Sequence, residues 1–368
     1  LLMEQTPSVT NWLPYNALKR PGVMRLWSYQ AVAHGSDSVM FFQMRRTVGA
    51  CEKLHGAVID HVGTNETRVF REVKALGAEL KELGEQTLGA VTDAKAVIYF
   101  DWDNWWAIEC SAGPNCDLKY KDESYNYYQA LYKLNIPVDI VGPEDDLGKY
   151  QLLIAPILYM TKTGYDEKIR TFVKNGGTFV TTFFSGIADE HDLIVTGGYP
   201  GKLRDIMGIW VEESDALPSG AENHFTYRGK AYPAKLLCDL SHLEGAEALS
   251  VYEEDFYAQM PAITKNQFGD GRAYYVATRS NEEFYQTLMA DICEECGVES
   301  LLAPQENLEV TMRRNENGRF LFLLNHADRE QETVMTEAGC GLLEKQEYAA
   351  GDVVSVPAKG VQIIRLQG

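Results

Sequence analysis

The feature that most constrains the fold is a regular change of segment type between residues 94 and 182. Residues 96–100 are an unbroken apolar run, 124–134 carry apolar groups at helical spacing, and 137–141 and 150–155 are again strand-like. Residues 166–175 return to helical spacing and 178–182 to a strand. Strands that are apolar throughout need cover on both faces, and strands separated by helices can pair in parallel. This stretch therefore predicts a parallel sheet between helical layers. Asn175-Gly176-Gly177 fits a helix stop, with glycine supplying the left-handed residue. No Gly-x-Gly-x-x-Gly joins a strand to a helix, so no phosphate loop is read.

The flanking segments read differently. Residues 1–4 and 39–45 are expected as strands, and 17–34 as a helix interrupted at Pro21-Gly22. A helix over 66–83 would set Val69, Val73, Leu76, Leu80 and Leu83 on one face. Residues 193–233 look loop-rich, 262–277 form a hairpin, and 281–297 a helix that closes the central domain before Pro304. Short alternating strands at 308–313, 319–324 and 360–366, with a hairpin turn at Asn315-Glu316-Asn317-Gly318, give a small antiparallel β domain. The fold class expected is α/β in three parts: residues 1–92, a flavodoxin-like domain over 93–303, and the β domain over 304–368.

With 368 residues, 45% of them apolar, the chain can bury substantial cores. A formal charge of −19 argues against nucleic acid or an anionic membrane as partner and fits a neutral substrate. The longest apolar runs fall well short of the roughly 20 residues that a membrane helix needs. Seven scattered cysteines suit reduced thiols in a cytoplasm better than a disulfide framework. Cys293 and Cys296 form a Cys-x-x-Cys pair, but no further ligand pair lies near them and the stretch has helical periodicity. They are read as helix cysteines, with no metal and no cofactor expected.

The chemistry concentrates at the beginning of the chain. In Leu1-Leu2-Met3-Glu4-Gln5-Thr6-Pro7-Ser8 an acidic residue follows a short apolar strand, a position that aims a carboxylate at a substrate. About forty residues on, Phe41-Phe42-Gln43-Met44-Arg45 and Glu52-Lys53-Leu54-His55-Gly56 follow a second strand-like run. Glu52 and His55, three apart, could form a local ion pair at a helical turn or face a ligand together.

These stretches resemble the C-terminal part of glycoside hydrolase family 42, the retaining β-galactosidases. The likeness continues through Tyr99-Phe100-Asp101-Trp102, Ile136-Pro137-Val138-Asp139, Leu153-Ile154-Ala155-Pro156 and Asn175-Gly176-Gly177-Thr178. The resemblance implies that Glu4 is the nucleophile and that Trp12, Phe42, Glu52 and His55 contact the galactosyl unit. Trp12 and Phe42 would offer apolar faces to the sugar or belong to the barrel core. Met44 stands where the family usually has Trp, and Cys51 where a small residue such as Ala is usual.

By the same resemblance residues 1–92 are the end of a (β/α)8 barrel, a fold that needs roughly 250 residues. Residues 93–303 are then the trimerisation domain, and the partner is a galactoside. Retaining hydrolysis uses two carboxylates about 5 to 5.5 Å apart. The family's acid/base glutamate falls upstream of residue 1, so the chain is expected to be the C-terminal portion of a longer enzyme and inactive alone.

The central domain also resembles class I glutamine amidotransferases, whose chemistry needs a cysteine on a tight strand-to-helix turn. Ile157-Leu158-Tyr159 and Phe184-Ser185-Gly186 occupy those turns without one, so this layer is read as non-catalytic. Its loops, Trp102 to Trp106 for example, are expected at an interface or a pocket rim. The alternative function is a non-catalytic oligomerisation module.

Overall fold

A computed structural model describes residues 1–367; Gly368, the last residue of the expected β domain, lies outside the described residues. Contacts divide the chain into two units, one of Leu1–Asp93 with Ser300–Gly368 and one of Ala94–Glu299. Both contain helices and sheets, so the chain is α/β.

The first unit begins with β1 (Leu2–Gln5), α1 (Val23–Ala33), β2 (Val39–Phe41), α2 (Arg68–Thr87) and β3 (Val91–Thr92). β1 and β2 pair in parallel, with Leu2 opposite Val39 and Gln5 opposite Phe41, as expected for strands joined through a helix. α1 starts only at Val23. Pro21-Gly22 therefore opens the helix instead of interrupting it, with Gly22 at φ +84° preceding its first turn. α2 is capped by Thr67, whose hydroxyl accepts the Phe70 N–H at 3.2 Å, and it packs Val73, Leu76, Leu80 and Leu83 inward.

The second unit continues with β4 (Ala96–Tyr99), α3 (Trp102–Cys110), α4 (Tyr120–Lys133), β5 (Val138–Val141), β6 (Leu152–Ala155), α5 (Tyr165–Lys174) and β7 (Thr178–Thr182). A short α6 (Arg204–Met207) precedes β8 (Ile209–Ala216), β9 (Asn223–Tyr227), β10 (Lys230–Leu243), β11 (Glu247–Val251), β12 (Pro261–Phe268), β13 (Gly271–Val276), β14 (Thr278–Arg279) and α7 (Glu282–Cys296). One sheet runs β11-β12-β13-β7-β6-β4-β5. Its pairings from β13 through β7, β6 and β4 to β5 are parallel, while β11–β12 and β12–β13 are antiparallel. Every residue of β4, β6 and β7 is buried, so the apolar runs read from sequence do lie between covering layers.

Two expectations for this unit fail. Residues 102–110 form a helix and not a loop, because the Asp101 carboxylate accepts the Asp103 N–H at 3.1 Å and caps its first turn. The stretch 193–233 holds β8, β9 and the beginning of β10, which with β14 make a four-stranded sheet. The long β10 pairs with all three, so these strands are set by distant partners more than by local pattern.

The chain returns to the first unit with β15 (Leu308–Asn315), β16 (Gly318–Asn325), β17 (Gln331–Val334), β18 (Gly339–Gly341), β19 (Glu347–Tyr348), β20 (Val353–Val356) and β21 (Val361–Leu366). Their pairings are antiparallel throughout, and β3 joins the edge of the sheet beside β15. Arg313, side chain 1% exposed, crosses from β15 to the carbonyls of Val32, Ser36 and Ala90 and to the Asp37 carboxylate. It thereby ties the end of α1 to this sheet. No helix among the described residues is long and apolar enough to cross a membrane.

Candidate functional site

The parallel pair β1–β2 positions the residues singled out at the start of the chain. Glu4 lies on β1 and is exposed. Phe42 follows β2 directly, its N–H donating to the Gln5 carbonyl at 3.2 Å, so both side chains leave from the C-terminal ends of adjacent parallel strands. The Phe42–Gln43 peptide bond is cis.

His55 gathers three of these segments. Its ring stacks on Trp12 at 4.9 Å with 13° between planes and meets Phe42 edge-on at 5.1 Å. Its Nδ1 is 2.9 Å from the Gly56 carbonyl; because a carbonyl only accepts, Nδ1 carries the proton. In the neutral ring Nε2 is then the acceptor, and the Thr6 hydroxyl lies 3.5 Å from it. The ring is fully enclosed, whereas Trp12 is 57% exposed.

Backbone contacts hold the segments together. The Gly56 N–H donates to the Val9 carbonyl at 2.7 Å, and a Cβ at position 56 would come within 2.8 Å of Ser8 and of the Val9 nitrogen, so only glycine fits. Asn11 Nδ2 donates to the Cys51 carbonyl at 2.7 Å, and Arg46 pairs with Asp60 at 3.0 Å. Burial pushes the Asp60 carboxyl up, but hydrogen bonds from Arg46 and the His61 N–H hold it below the usual range. Lys19 Nζ donates to the Thr6 carbonyl just beyond Glu4, and burial lowers the pKa of that amine.

The structure thus brings Trp12, Phe42 and His55 together, with Glu4 on β1 two residues before Thr6, which follows the strand. Glu52 is half-buried, and its carbonyl accepts the His55 N–H at 2.9 Å. Among the described residues the Glu4 and Glu52 carboxylates take part in no ion pair, so the local Glu52–His55 pair does not form. Met44 is 63% exposed and Cys51 is exposed. Thr6, Lys19 and Gly56 were not singled out from the sequence. Of these only the glycine after His55 gave a signal, since a close backbone approach often requires one.

Chemically, an exposed carboxylate near a strand end and the exposed indole of Trp12 suit a neutral, hydroxyl-bearing ligand. Cys293 is buried in α7, burial pushing its thiol well up, and no group of three or more potential metal ligands is assembled among the described residues. A hollow of about 570 Å³ lies in the second unit. There Arg228 is paired with Asp291 and Lys265 with Glu295.

Comparison with known proteins gives three matches along the chain. Residues 1–83 match the family described as β-galactosidase, 94–299 the β-galactosidase trimerisation domain, and 307–366 the β-galactosidase C-terminal domain. A β-galactosidase from Planococcus sp. (strain L4) is 50% identical over 370 residues, covering 99% of this chain and 55% of the relative. One from Lactobacillus acidophilus is 46% identical over 367 residues, covering 99% and 54%. The crystal structure of β-galactosidase from Bacillus circulans sp. alkalophilus matches with a TM-score of 0.97 and 49% identity, over 100% of this chain and 55% of that one. The chain spans about half the length of the relatives it matches.

Proposed function

Because this chain belongs to glycoside hydrolase family 42, we propose that it forms the C-terminal part of a retaining β-galactosidase in which Glu4 is the nucleophile. The observation that carries the reading is the position of Glu4: exposed, near the C-terminal end of a parallel strand and two residues before Thr6, whose hydroxyl lies 3.5 Å from the His55 ring. Its carboxylate attacks the anomeric carbon of a terminal β-galactosyl unit, the bond to the leaving oxygen breaks, and a covalent glycosyl-enzyme forms. Water attacks the same carbon in the second step and releases galactose with Glu4 restored. Trp12 and Phe42 give the sugar apolar faces, while Glu52 and His55 read its hydroxyls.

The acid/base carboxylate that protonates the leaving oxygen lies outside these residues. In this reading residues 1–92 are the last two β/α units of a (β/α)8 barrel, and 304–368 a small antiparallel β domain. Residues 93–303 are a flavodoxin-like layer that builds a homotrimer. Seven free cysteines support a reducing, cytoplasmic setting. The test is hydrolysis of a nitrophenyl β-galactoside by this chain alone. No turnover is expected, because neither protonation nor full positioning is available. Turnover at an ordinary enzymatic rate, abolished by Glu4→Gln, would overturn the assignment of the second carboxylate to a missing segment.

A further inference from the structure

The C-terminal β domain reaches the strand that carries Glu4 through a single turn of chain. Glu309, Thr311 and Arg313 alternate along β15, so their side chains leave from one face of the strand. All three meet the end of α1. Glu309 accepts from Gln30 at 2.8 Å and pairs with His34 at 2.6 Å, and the Thr311 hydroxyl donates to the Ala33 carbonyl at 3.1 Å. Val32 and Ala33 belong to the last turn of α1, whose carbonyls lack partners within the helix, so this face of β15 supplies donors that the helix itself cannot.

Arg313 extends furthest. Its Nε donates to the Ala90 carbonyl at 2.9 Å, and its Nη1 to the Val32 carbonyl at 2.9 Å and the Ser36 carbonyl at 3.3 Å. Its Nη2 donates to the Asp37 carboxylate at 2.8 Å and to the Ala90 carbonyl. All five guanidinium N–H groups are thereby engaged on a side chain that is 1% exposed. A lysine has three donors and no planar fork, so it could not hold the same set of acceptors. Residues 34–38 are thus fixed from the side of the β domain.

The other side of that turn holds β1. The buried Ser36 hydroxyl accepts the Leu2 N–H at 2.8 Å and donates to the Ser38 carbonyl at 2.6 Å, and that carbonyl accepts the same Leu2 N–H at 3.0 Å. Ser36 therefore carries Arg313 on its carbonyl and β1 on its hydroxyl. Leu2 and Glu4 stand two apart on an extended strand, so their side chains leave from the same face and a shift at Leu2 is passed on to Glu4.

We propose that Arg313 is a positioning residue for the nucleophile strand, acting through Ser36 to fix β1 and with it the Glu4 carboxylate. The C-terminal β domain then contributes to the reaction without touching the sugar. The role of Glu4 as nucleophile rests on the proposed function; the link from β15 to β1 does not. A displacement of about 1 Å at a reacting group can cost about a hundredfold in rate, so the link is expected to be read in kcat.

The test compares Arg313→Lys and the milder Ser36→Ala with Val354→Ala, which opens a cavity in the same β domain at a fully buried position whose cluster contains no residue of α1. In the full chain, the amide resonances of Leu2–Gln5 are expected to move in the first two variants and to stay in the third. In an active β-galactosidase that contains these residues, kcat should fall at least about tenfold in Arg313→Lys and about threefold in Ser36→Ala, with KM changed less than about twofold. Val354→Ala should lower the unfolding midpoint and leave kcat unchanged. Unmoved β1 resonances in both Arg313→Lys and Ser36→Ala, or an unaltered kcat in both, would overturn the proposal. So would an equal loss of kcat in Val354→Ala, since the effect would then follow stability alone. Moved β1 resonances together with a trapped label on a carboxylate other than Glu4 would support the link and overturn only the nucleophile assignment.

Discussion

β1–β2 and β4–β6–β7 are built from the same kind of connection, parallel strands joined through helices, yet they are buried very differently. No residue of β1 or β2 is fully buried, whereas every residue of β4, β6 and β7 is. Parallel pairing alone therefore does not make a core; cover on both faces does. The catalytic candidates sit on the poorly covered pair, and the fully covered strands carry no candidate nucleophile. Side chains such as Met3 and Met44, 71% and 63% exposed, remain open for contact, while the central sheet has little left to offer a ligand except at its rim.

The largest expected effect would break this contrast if it failed to appear. Phe179→Ala in β7, at a fully buried position, should destabilise the second unit by about 3–5 kcal/mol through lost burial and a residual cavity. Met3→Ala in β1 should cost less than about 0.5 kcal/mol. Urea unfolding of the two variants checks this, and similar shifts in midpoint would contradict the comparison.

A second prediction sharpens it, because the first unit is well buried elsewhere. Glu309 on β15, side chain 1% exposed, accepts from His326 and His34 at 2.6 Å each and from Gln30 at 2.8 Å. Burial pushes its carboxyl up, but the hydrogen bonds and charges of the two histidines more than offset this and hold it at about 2. The folded value is depressed below the unfolded one near 4.5, so the carboxylate contributes stability that is fully present above that value. It is lost as pH falls toward 2. The amount is about 3 kcal/mol. Unfolding followed between pH 6 and 2.5 should show this loss, and Glu309→Gln should flatten the acid limb. An unchanged acid limb in the variant would count against the cluster as an anchor.

The smallest effect probes the site itself. Trp12→Ala removes one stacked face from His55 and should cost about 1 kcal/mol. The His55 ring proton resonances should move as the indole ring current disappears, and resonances that stay put would mean that the stack is not maintained in solution.

The parallel layer was legible in the sequence because continuous apolar runs such as 96–100 and 150–155 leave few alternatives to burial on both faces. The parallel pairing of β1 with β2 was legible for a related reason, since a helix between two strands favours that geometry. The helix at 102–110 was missed because a Trp-rich segment with no clear apolar face reads as a surface loop, although Asp101 stood in front of it as a cap. The strands between 193 and 233 were missed because β10 stabilises them from a distance. At the site, Trp12, Phe42 and His55 could be named from the motif and do meet. Thr6 and Lys19 act through a side-chain approach and a backbone carbonyl that no local pattern announces.

The claim that Glu4 is the nucleophile is tested most directly by trapping its covalent intermediate. An active β-galactosidase that contains these residues would be treated with a 2-deoxy-2-fluoro-β-galactosyl fluoride, digested, and its labelled peptide sequenced. Formation of the glycosyl-enzyme is less impaired than its hydrolysis, so the label accumulates. The account predicts one galactosyl label, on Glu4, absent from Glu4→Gln. A label on Glu52 or on any other carboxylate would contradict it.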